Sequence, residues 1–551
     1  MHDRALLFLL AGWAAFAVAS VWLRPLWPVD ETRYASVAWE MWLRGDFLVP
    51  HINGEPYSHK PPLLFWLIQL GWALFGVNDW WPRLVAPLCA LASVPLLLRL
   101  GALLWPPGCE ASETRESREA RLLPVWVLFG TLLFAVFITL TMFDLLLMLC
   151  TMAGMIGVLT LAQGSRRAGI LWLGAGIGLG VLAKGPVILL HVLPAALVAP
   201  WWAPATREKP GRWYLDLLLG VVLGAALALA WALPAAIFGG EEYRRAIFWG
   251  QTAGRVSDSF AHRAPLWYYL PLLPLILFPW FVWPKFWFGI EAIFSKNQDH
   301  GARFLAAWLL LTLIGFSLVS GKQAKYLVPF LPAFALLAGH ALAKAPALEQ
   351  GRTALARWWE MLPPVLGFLA LPAFLAYLRS RPEVLKLPEW AAEIPLWPIV
   401  ALALAAPVLL FFARQTTAMQ VRALAFAVLA AAAVVGAGVI PAFVPYSDPG
   451  PAARHLAGLQ AAKVPLAHLG KYHAQYNFVG RLRAPIEILE PPELKAWVAV
   501  HPSGQIITVE RQRHDGAATA EGGPEYQAPF RGAWVQVWRG AALLVERPEL
   551  R

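Results

Sequence analysis

Long apolar runs separated by short loops rich in charge, Pro and Gly recur from Ala5 almost to Ala442. A helix needs about 20 apolar residues to cross the hydrocarbon core of a bilayer, so this pattern predicts a polytopic α-helical membrane protein. The expected crossings lie near 5–23, 82–104, 122–140, 145–162, 168–183, 187–203, 214–238, 266–284, 304–319, 327–343, 362–378, 394–413 and 423–443, about thirteen in all. The run 63–77 is shorter and rich in Trp and Phe, and crossing with it would reverse every later loop. It is expected to be interfacial or re-entrant. The first run has no small-residue cleavage signal and reads as a retained span, not a removed signal peptide.

The bias of Lys and Arg between loops then sets the sidedness. Basic loops at 115–121, 166–167, 207–212, 285–303, 344–357 and 414–422 read as cytoplasmic, with the N-terminus inside. The first loop, 25–81, and the C-terminal region fall on the opposite side. Beyond Pro441, charge, His and short alternating segments at 505–509, 534–538 and 541–545 replace the long runs. This change predicts a membrane domain, 1–445, followed by a small soluble α/β domain, 446–551. The latter shows no catalytic motif and is expected to be a lid or a substrate-docking cap.

Composition agrees: 59% hydrophobic and 14% charged residues exclude a soluble globular chain of this length. The net charge of +11 would suit nucleic acid if it formed one stripe, but the basic residues are scattered through loops, which fits anionic lipid headgroups. Cys89, Cys109 and Cys150 form no disulfide or metal spacing and read as packing residues. Gly174, Gly176, Gly178 and Gly180 lie inside an apolar run with no preceding strand, so they predict close helix packing and not a nucleotide loop.

Ionisable residues at a membrane boundary are costly unless they are paired or serve a site. Those on the outer side converge. The first loop supplies Asp30, Glu31, Arg33 and Tyr34, then His51, Glu55, Tyr57, His59 and Lys60. Asp144, Lys184, Lys322, Lys325 and Tyr326 mark the outer ends of later crossings, and the loop after the seventh adds Glu241, Glu242, Arg244, Arg245, Arg255, Asp258, His262 and Arg263. Lysines and arginines mixed with a few carboxylates and tyrosines suit a phosphate carried on a lipid, with the carboxylates free for a second task. Without a nucleotide fold, the reaction energy would come from a preactivated lipid-linked donor. Snorkelling at a helix end is the plain alternative for Arg33, Lys60, Lys184 and Lys325, as N-capping is for Asp30. His51, Glu55, His59 and His262 are the set from which a divalent metal site would be drawn, although their spacing matches no standard pattern and the sequence requires no cofactor.

Five segments carry a resemblance: Asp30-Glu31 with Arg33-Tyr34, His59-Lys60-Pro61-Pro62, Thr141-Met142-Phe143-Asp144, Ala183-Lys184-Gly185-Pro186, and Ser320-Gly321-Lys322 through Lys325-Tyr326 to Pro329. With these the chain resembles the GT-C glycosyltransferases related to protein O-mannosyltransferases, most closely the bacterial lipid A aminoarabinosyltransferases. The resemblance implies juxtamembrane helices in the first outer loop and a periplasmic C-terminal domain in a multi-pass inner-membrane enzyme. It further implies transfer of 4-amino-4-deoxy-L-arabinose, with inversion, from undecaprenyl phosphate to lipid A phosphates, and hence resistance to polymyxin and cationic antimicrobial peptides. On that reading Asp30 supports an oxocarbenium-like transition state or acts as a base. Arg33, Tyr34, Lys60 and Tyr326 hold the donor phosphate, and Asp144 or Glu31 pairs with the sugar ammonium. Tyr57, His59, Lys184, Lys322 and Lys325 bind substrate, and the chain is expected to work as a monomer with no nucleic-acid partner. Two rivals share the composition: a transferase of the same fold that moves mannose to protein, and a transporter, which would place its charges nearer the midplane and show inverted repeats.

Overall fold

The computed structural model describes residues 4–106, 115–250, 263–295, 299–345, 354–381, 390–514 and 523–550. Among them, nine helices are long and apolar enough to cross a membrane. They are α1 (Arg4–Leu23), α4 (Trp80–Leu104), α7 (Asp144–Ala162), α8 (Arg166–Lys184), α11 (Pro210–Phe238), and the later helices His300–Leu318, Ala324–Lys344, Trp358–Ser380 and Thr417–Tyr446. The other four expected crossings are interrupted helices. The first is α5 (Arg115–Phe129) with α6 (Leu132–Phe137), and the second α9 (Ile188–Leu197) with α10 (Ala199–Trp202). The third is broken around Leu273–Ile276, and the fourth joins Leu396–Ala403 to Ala405–Phe412. The break between α5 and α6 frees backbone groups that the bundle pairs again: Leu132 N–H donates to Phe278 O at 2.9 Å.

Between α1 and α4 lie two shorter helices, α2 (Asp30–Arg44) and α3 (Leu63–Phe75), joined through a hairpin of β1 (His51–Ile52) and β2 (Glu55–Pro56). Gly45 closes α2 in the left-handed conformation, its N–H reaching Met41 O and Trp42 O. Pro62 precedes α3 and Gly76 ends it. At 1.5 Å per residue, its 13 residues reach about 20 Å, short of the ~30 Å hydrocarbon core. Trp72 of α3 meets Trp39 and Trp42 of α2 edge to face at 6.5 and 6.2 Å, so the two helices pack as a pair.

The glycine run in α8 does what its spacing predicts. A Cβ on Gly176 would stand 2.3 Å from the backbone N of Gly154 in α7, and one on Gly178 would strike Leu227 of α11 at 2.6 Å. Only glycine lets these three helices approach so closely. Cys89 and Cys150 are buried free thiols, as packing residues would be; Cys109 lies outside the described residues.

The C-terminal domain is a helix, Gly450–Ala461, on a five-stranded sheet of order β4-β3-β5-β7-β6. Its strands are β3 (Leu466–Leu469), β4 (Glu487–Leu489), β5 (Gln505–Glu510), β6 (Tyr526–Phe530) and β7 (Ala533–Arg539). The three strands β4, β3 and β5 run parallel, and β7 pairs antiparallel with both β5 and β6. Adjacent residues Ile506 and Ile507 enter separate apolar cores on the two faces, the period of two expected of a strand. The segment 541–545, read from sequence as strand-like, is instead part of the helix Gly540–Glu546. Its Ala and Leu residues favour helix, and Leu543 joins Leu494, Trp497, Ile506 and Trp538 in one of the domain's apolar cores.

Candidate active site

Asp30 opens α2 with a third of its side chain exposed. Its carboxylate pairs with Arg33, one turn on, and with Lys325 Nζ at 3.2 Å. Lys325 stands on the 3-10 segment Ala324–Phe330, so the start of α2 and the entry to a distant helix share one charge cluster. Burial on its own would raise the pKa of Asp30, but Lys325, Arg33 and Lys60 together hold it below its ordinary value.

Next to it, Lys184 at the end of α8 donates to Asp144 at the start of α7, 2.5 Å away. Lys184 also lies over the ring of Tyr326 at 5.1 Å. Phe143 joins this pair to the first loop: Tyr34 and Phe65 meet its ring edge-on at 4.8 and 5.6 Å, and Lys60 Nζ lies 6.0 Å from it. Tyr57 packs on Phe65 and stacks on His59 at 5.3 Å. Burial, then the negative potential of Asp30, holds the Tyr34 phenol well above its ordinary range, so it remains a neutral hydrogen-bond donor. Asp30, Arg33, Tyr34, Tyr57, His59, Lys60, Asp144, Lys184, Lys325 and Tyr326 are thus gathered at one end of the bundle. Cations outnumber carboxylates here, as in a site for an anion.

Glu31 and Lys322 are spent elsewhere. Glu31 is buried and takes Arg24 on both oxygens, at 2.5 and 3.1 Å, together with the N–H groups of Trp27 at 2.8 Å and Thr141 at 2.6 Å. Lys322 is buried with its Nζ on the carbonyls of Ala264 at 2.9 Å and Val319 at 2.6 Å. Glu241 pairs with Arg244 and Arg245 on its own exposed helix turn. Of the residues named for a metal, His51 Nδ1 faces Val49 O at 2.8 Å, Glu55 is exposed on β2, and His262 lies outside the described residues, as do Arg255 and Asp258. Among the described residues no three His, Cys, Asp or Glu side chains are grouped to hold a metal ion.

Sequence reasoning passed over Arg24, because a basic residue that ends an apolar run looks like a snorkelling end. It also passed over Arg83, whose guanidinium binds the carbonyls of Ser20, Val21 and Arg24 and so seals the outer end of α1. A third omission is the segment 474–482 of the C-terminal domain. Ser36 Oγ donates to Ala474 O at 2.8 Å and accepts from Phe478 N–H at 3.0 Å, and Trp39 Nε1 donates to Leu482 O at 2.9 Å. The domain therefore docks on the same helix that carries Asp30 and Arg33.

No family model matches the chain. Among curated proteins, an undecaprenyl phosphate-alpha-4-amino-4-deoxy-L-arabinose arabinosyl transferase of Pseudomonas paraeruginosa is 33% identical over 395 residues, 68% of this chain and 66% of the relative. One such transferase of Pseudomonas fluorescens is 30% identical over 402 residues, 70% of this chain and 68% of its own length. Another from that species is 34% identical over 332 residues, and there the match spans 57% of the relative's length. The crystal structure of ArnT from Cupriavidus metallidurans bound to undecaprenyl phosphate superposes with a TM-score of 0.74 at 19% identity, over 92% of this chain and 94% of that one. The apo form gives a TM-score of 0.70. The fold is that of the GT-C membrane transferases, and the chain belongs to the family of undecaprenyl phosphate-aminoarabinose arabinosyl transferases.

Proposed function

We propose that this protein transfers 4-amino-4-deoxy-L-arabinose from undecaprenyl phosphate to a phosphate of lipid A, at the periplasmic face of the bacterial inner membrane. The observation that carries the reading is the cluster in which Asp30 lies between Arg33 and Lys325, beside the Lys184–Asp144 pair and Tyr326. Family membership supports an undecaprenyl phosphate-linked aminoarabinose donor. The basic loops support the periplasmic side.

In the transfer, the bond between the sugar's anomeric carbon and the donor phosphate oxygen breaks, and a bond from that carbon to a lipid A phosphate oxygen forms. The acceptor is already an anion and needs no strong base. Positive charge develops on the sugar ring, and Asp30, held ionised and the most exposed carboxylate of the three, stabilises it. Arg33, Lys60 and the phenols of Tyr34 and Tyr326 receive the departing undecaprenyl phosphate as it gains charge. All three carboxylates are paired with cations, but Glu31 and Asp144 are buried against Arg24 and Lys184 and shape the site, while the partly exposed Asp30 is the one open to the sugar.

Reducing the charge of lipid A would weaken the binding of polymyxin and other cationic peptides. Mass spectrometry of lipid A from cells with and without the gene is the test. An aminoarabinose adduct that depends on the gene and disappears in Asp30→Ala and Lys60→Ala is the expected result; sugar-modified proteins with unmodified lipid A would overturn it in favour of a protein transferase.

A further inference from the structure

The topology of the C-terminal sheet brings three basic side chains to one end. Strands β3 and β5 run parallel, and β6, antiparallel to β7, runs with them. The chain leaving β3 (Gly470, Lys471, Tyr472, His473) and the turn leaving β6 (Arg531, Gly532) therefore lie at the same edge, the carboxyl end of the strands, where open α/β sheets take their ligands. Arg531 and Gly532 both have positive φ, 55° and 78°, which makes a tight two-residue hairpin with Arg531 at its tip. Lys471, His473 and Arg531 are all exposed.

This edge faces the candidate active site. Ala474, the residue after His473, is fixed to Ser36, which follows Arg33 by one turn of α2. The docking is firm: Asn53 exchanges two hydrogen bonds with Ile486 at 2.8 and 2.9 Å, Arg481 pairs with Asp79 at 2.8 Å, and Trp72 stacks on Phe478 at 5.2 Å. The imidazole of His473 is held below its ordinary pKa first by burial and then by Arg33, Arg531 and Lys471, with Asp30 opposing them, so these groups share one electrostatic field.

We propose that Lys471, His473 and Arg531 form a second anion-binding rim, contributed by the C-terminal domain, that receives the phosphorylated headgroup of the acceptor glycolipid and presents it to Asp30 and Arg33. The proposal rests on the function proposed above for its acceptor class. It divides the cations into two groups: Arg33 and Lys60, at the membrane-domain cluster, take the donor phosphate, and the rim above takes the acceptor. The rim residues are positioning residues and touch no reacting atom.

The test uses the full-length protein in detergent, with undecaprenyl-phosphate aminoarabinose and lipid A varied separately. The double variant Lys471→Gln/Arg531→Asn removes both permanent charges, and Asn tolerates the left-handed turn position. Loss of two charge-assisted contacts should raise the KM for lipid A by about tenfold or more, with kcat and the donor KM within about twofold of the parent. Lys471→Arg should keep the parent KM. An unchanged acceptor KM, or a donor KM that rises in step with it, overturns the rim. A second measurement does not depend on turnover: co-sedimentation of the protein with phosphatidylcholine vesicles containing lipid A or its dephosphorylated form. The parent should prefer the phosphorylated form and the double variant should lose that preference; equal preference in both proteins overturns the rim. A parent that shows this preference and transfers no sugar would sink the proposed function while leaving the rim in place.

Discussion

The Arg24–Glu31 pair allows a quantitative test of how the outer end of the bundle is held. Both side chains are 2% exposed, and Glu31 also accepts the backbone N–H groups of Trp27 and Thr141, tying the end of α1, the start of α2 and the turn before Asp144 together. Glu31→Leu leaves a buried guanidinium with the carbonyls of Pro25 and Thr139 but no counter-charge, which costs about 3–5 kcal/mol, and strands two backbone donors at about 1–3 kcal/mol each. Arg24→Met leaves a carboxylate that keeps its two N–H partners and strands no backbone donor, so it should cost less, about 3 kcal/mol. The double variant Arg24→Met/Glu31→Leu removes both charges and loses mainly the two N–H acceptors, so it should be more stable than Glu31→Leu alone, with a coupling of at least ~3 kcal/mol. Equilibrium SDS unfolding in mixed micelles of all four proteins measures the cycle. A double variant less stable than Glu31→Leu alone, or a coupling below about 1 kcal/mol, refutes the reasoning. A Glu31→Gln variant that keeps the parent stability but loses about a hundredfold or more in transfer rate would instead place Glu31 in the chemistry.

Lys325→Met removes the leading cation that offsets burial at Asp30, so the pKa of Asp30 rises and the acid limb of the pH–rate profile moves to higher pH. In the parent the carboxylate is fully ionised above its ordinary 3.8, and its contribution fades only as pH falls through the lowered value, so an unshifted acid limb in the variant would contradict the pairing. Lys184→Met should lower the yield of folded protein by stranding a buried Asp144, and Asp144→Asn/Lys184→Met should recover the yield on gel filtration while transfer stays low. Gly176→Ala forces its new methyl onto the Gly154 backbone, costing about 1–3 kcal/mol or more, visible as a lower unfolding midpoint in the same SDS titration; an unchanged midpoint would mean that α7 and α8 are not in contact there.

The apolar runs made the membrane architecture legible because lipid leaves the chain few alternatives to helices. The four interruptions were not legible in the same way: Pro124 and Pro194 lie inside α5 and α9 and not at their breaks, while Pro87 and Pro95 sit within the unbroken α4. Within the site, charge at the outer ends of the spans was enough to pick Asp30, Arg33, Lys60, Asp144, Lys184 and Lys325. The sequence did not separate Asp30 from Glu31. Adjacent residues on a helix point about 100° apart, and that rotation alone sends one carboxylate to the site and the other into the protein. The buried run Thr32, Tyr34, Ala35, Val37 and Ala38 marks the inward face after the fact, but which polar neighbour finds Arg24 is a tertiary matter. Lys322 and Lys325 separate for a similar reason: Lys322 lies before the 3-10 segment and meets backbone carbonyls, while Lys325, on the first turn of that segment, meets Asp30.

The clasp between Ser36 and Ala474 joins residues 438 positions apart. At a ribosomal rate of about 5–20 residues per second, the helix that carries Asp30 waits roughly 20 to 90 s for the segment that pins it. Through that interval Ser36, Trp39 and Asn53 have no partner from the C-terminal domain. The pocket is therefore completed among the last events of biogenesis. A nascent chain that stalls before Ala474 would be inserted in the membrane but unfinished at its outer surface, open there to proteases that the mature protein excludes.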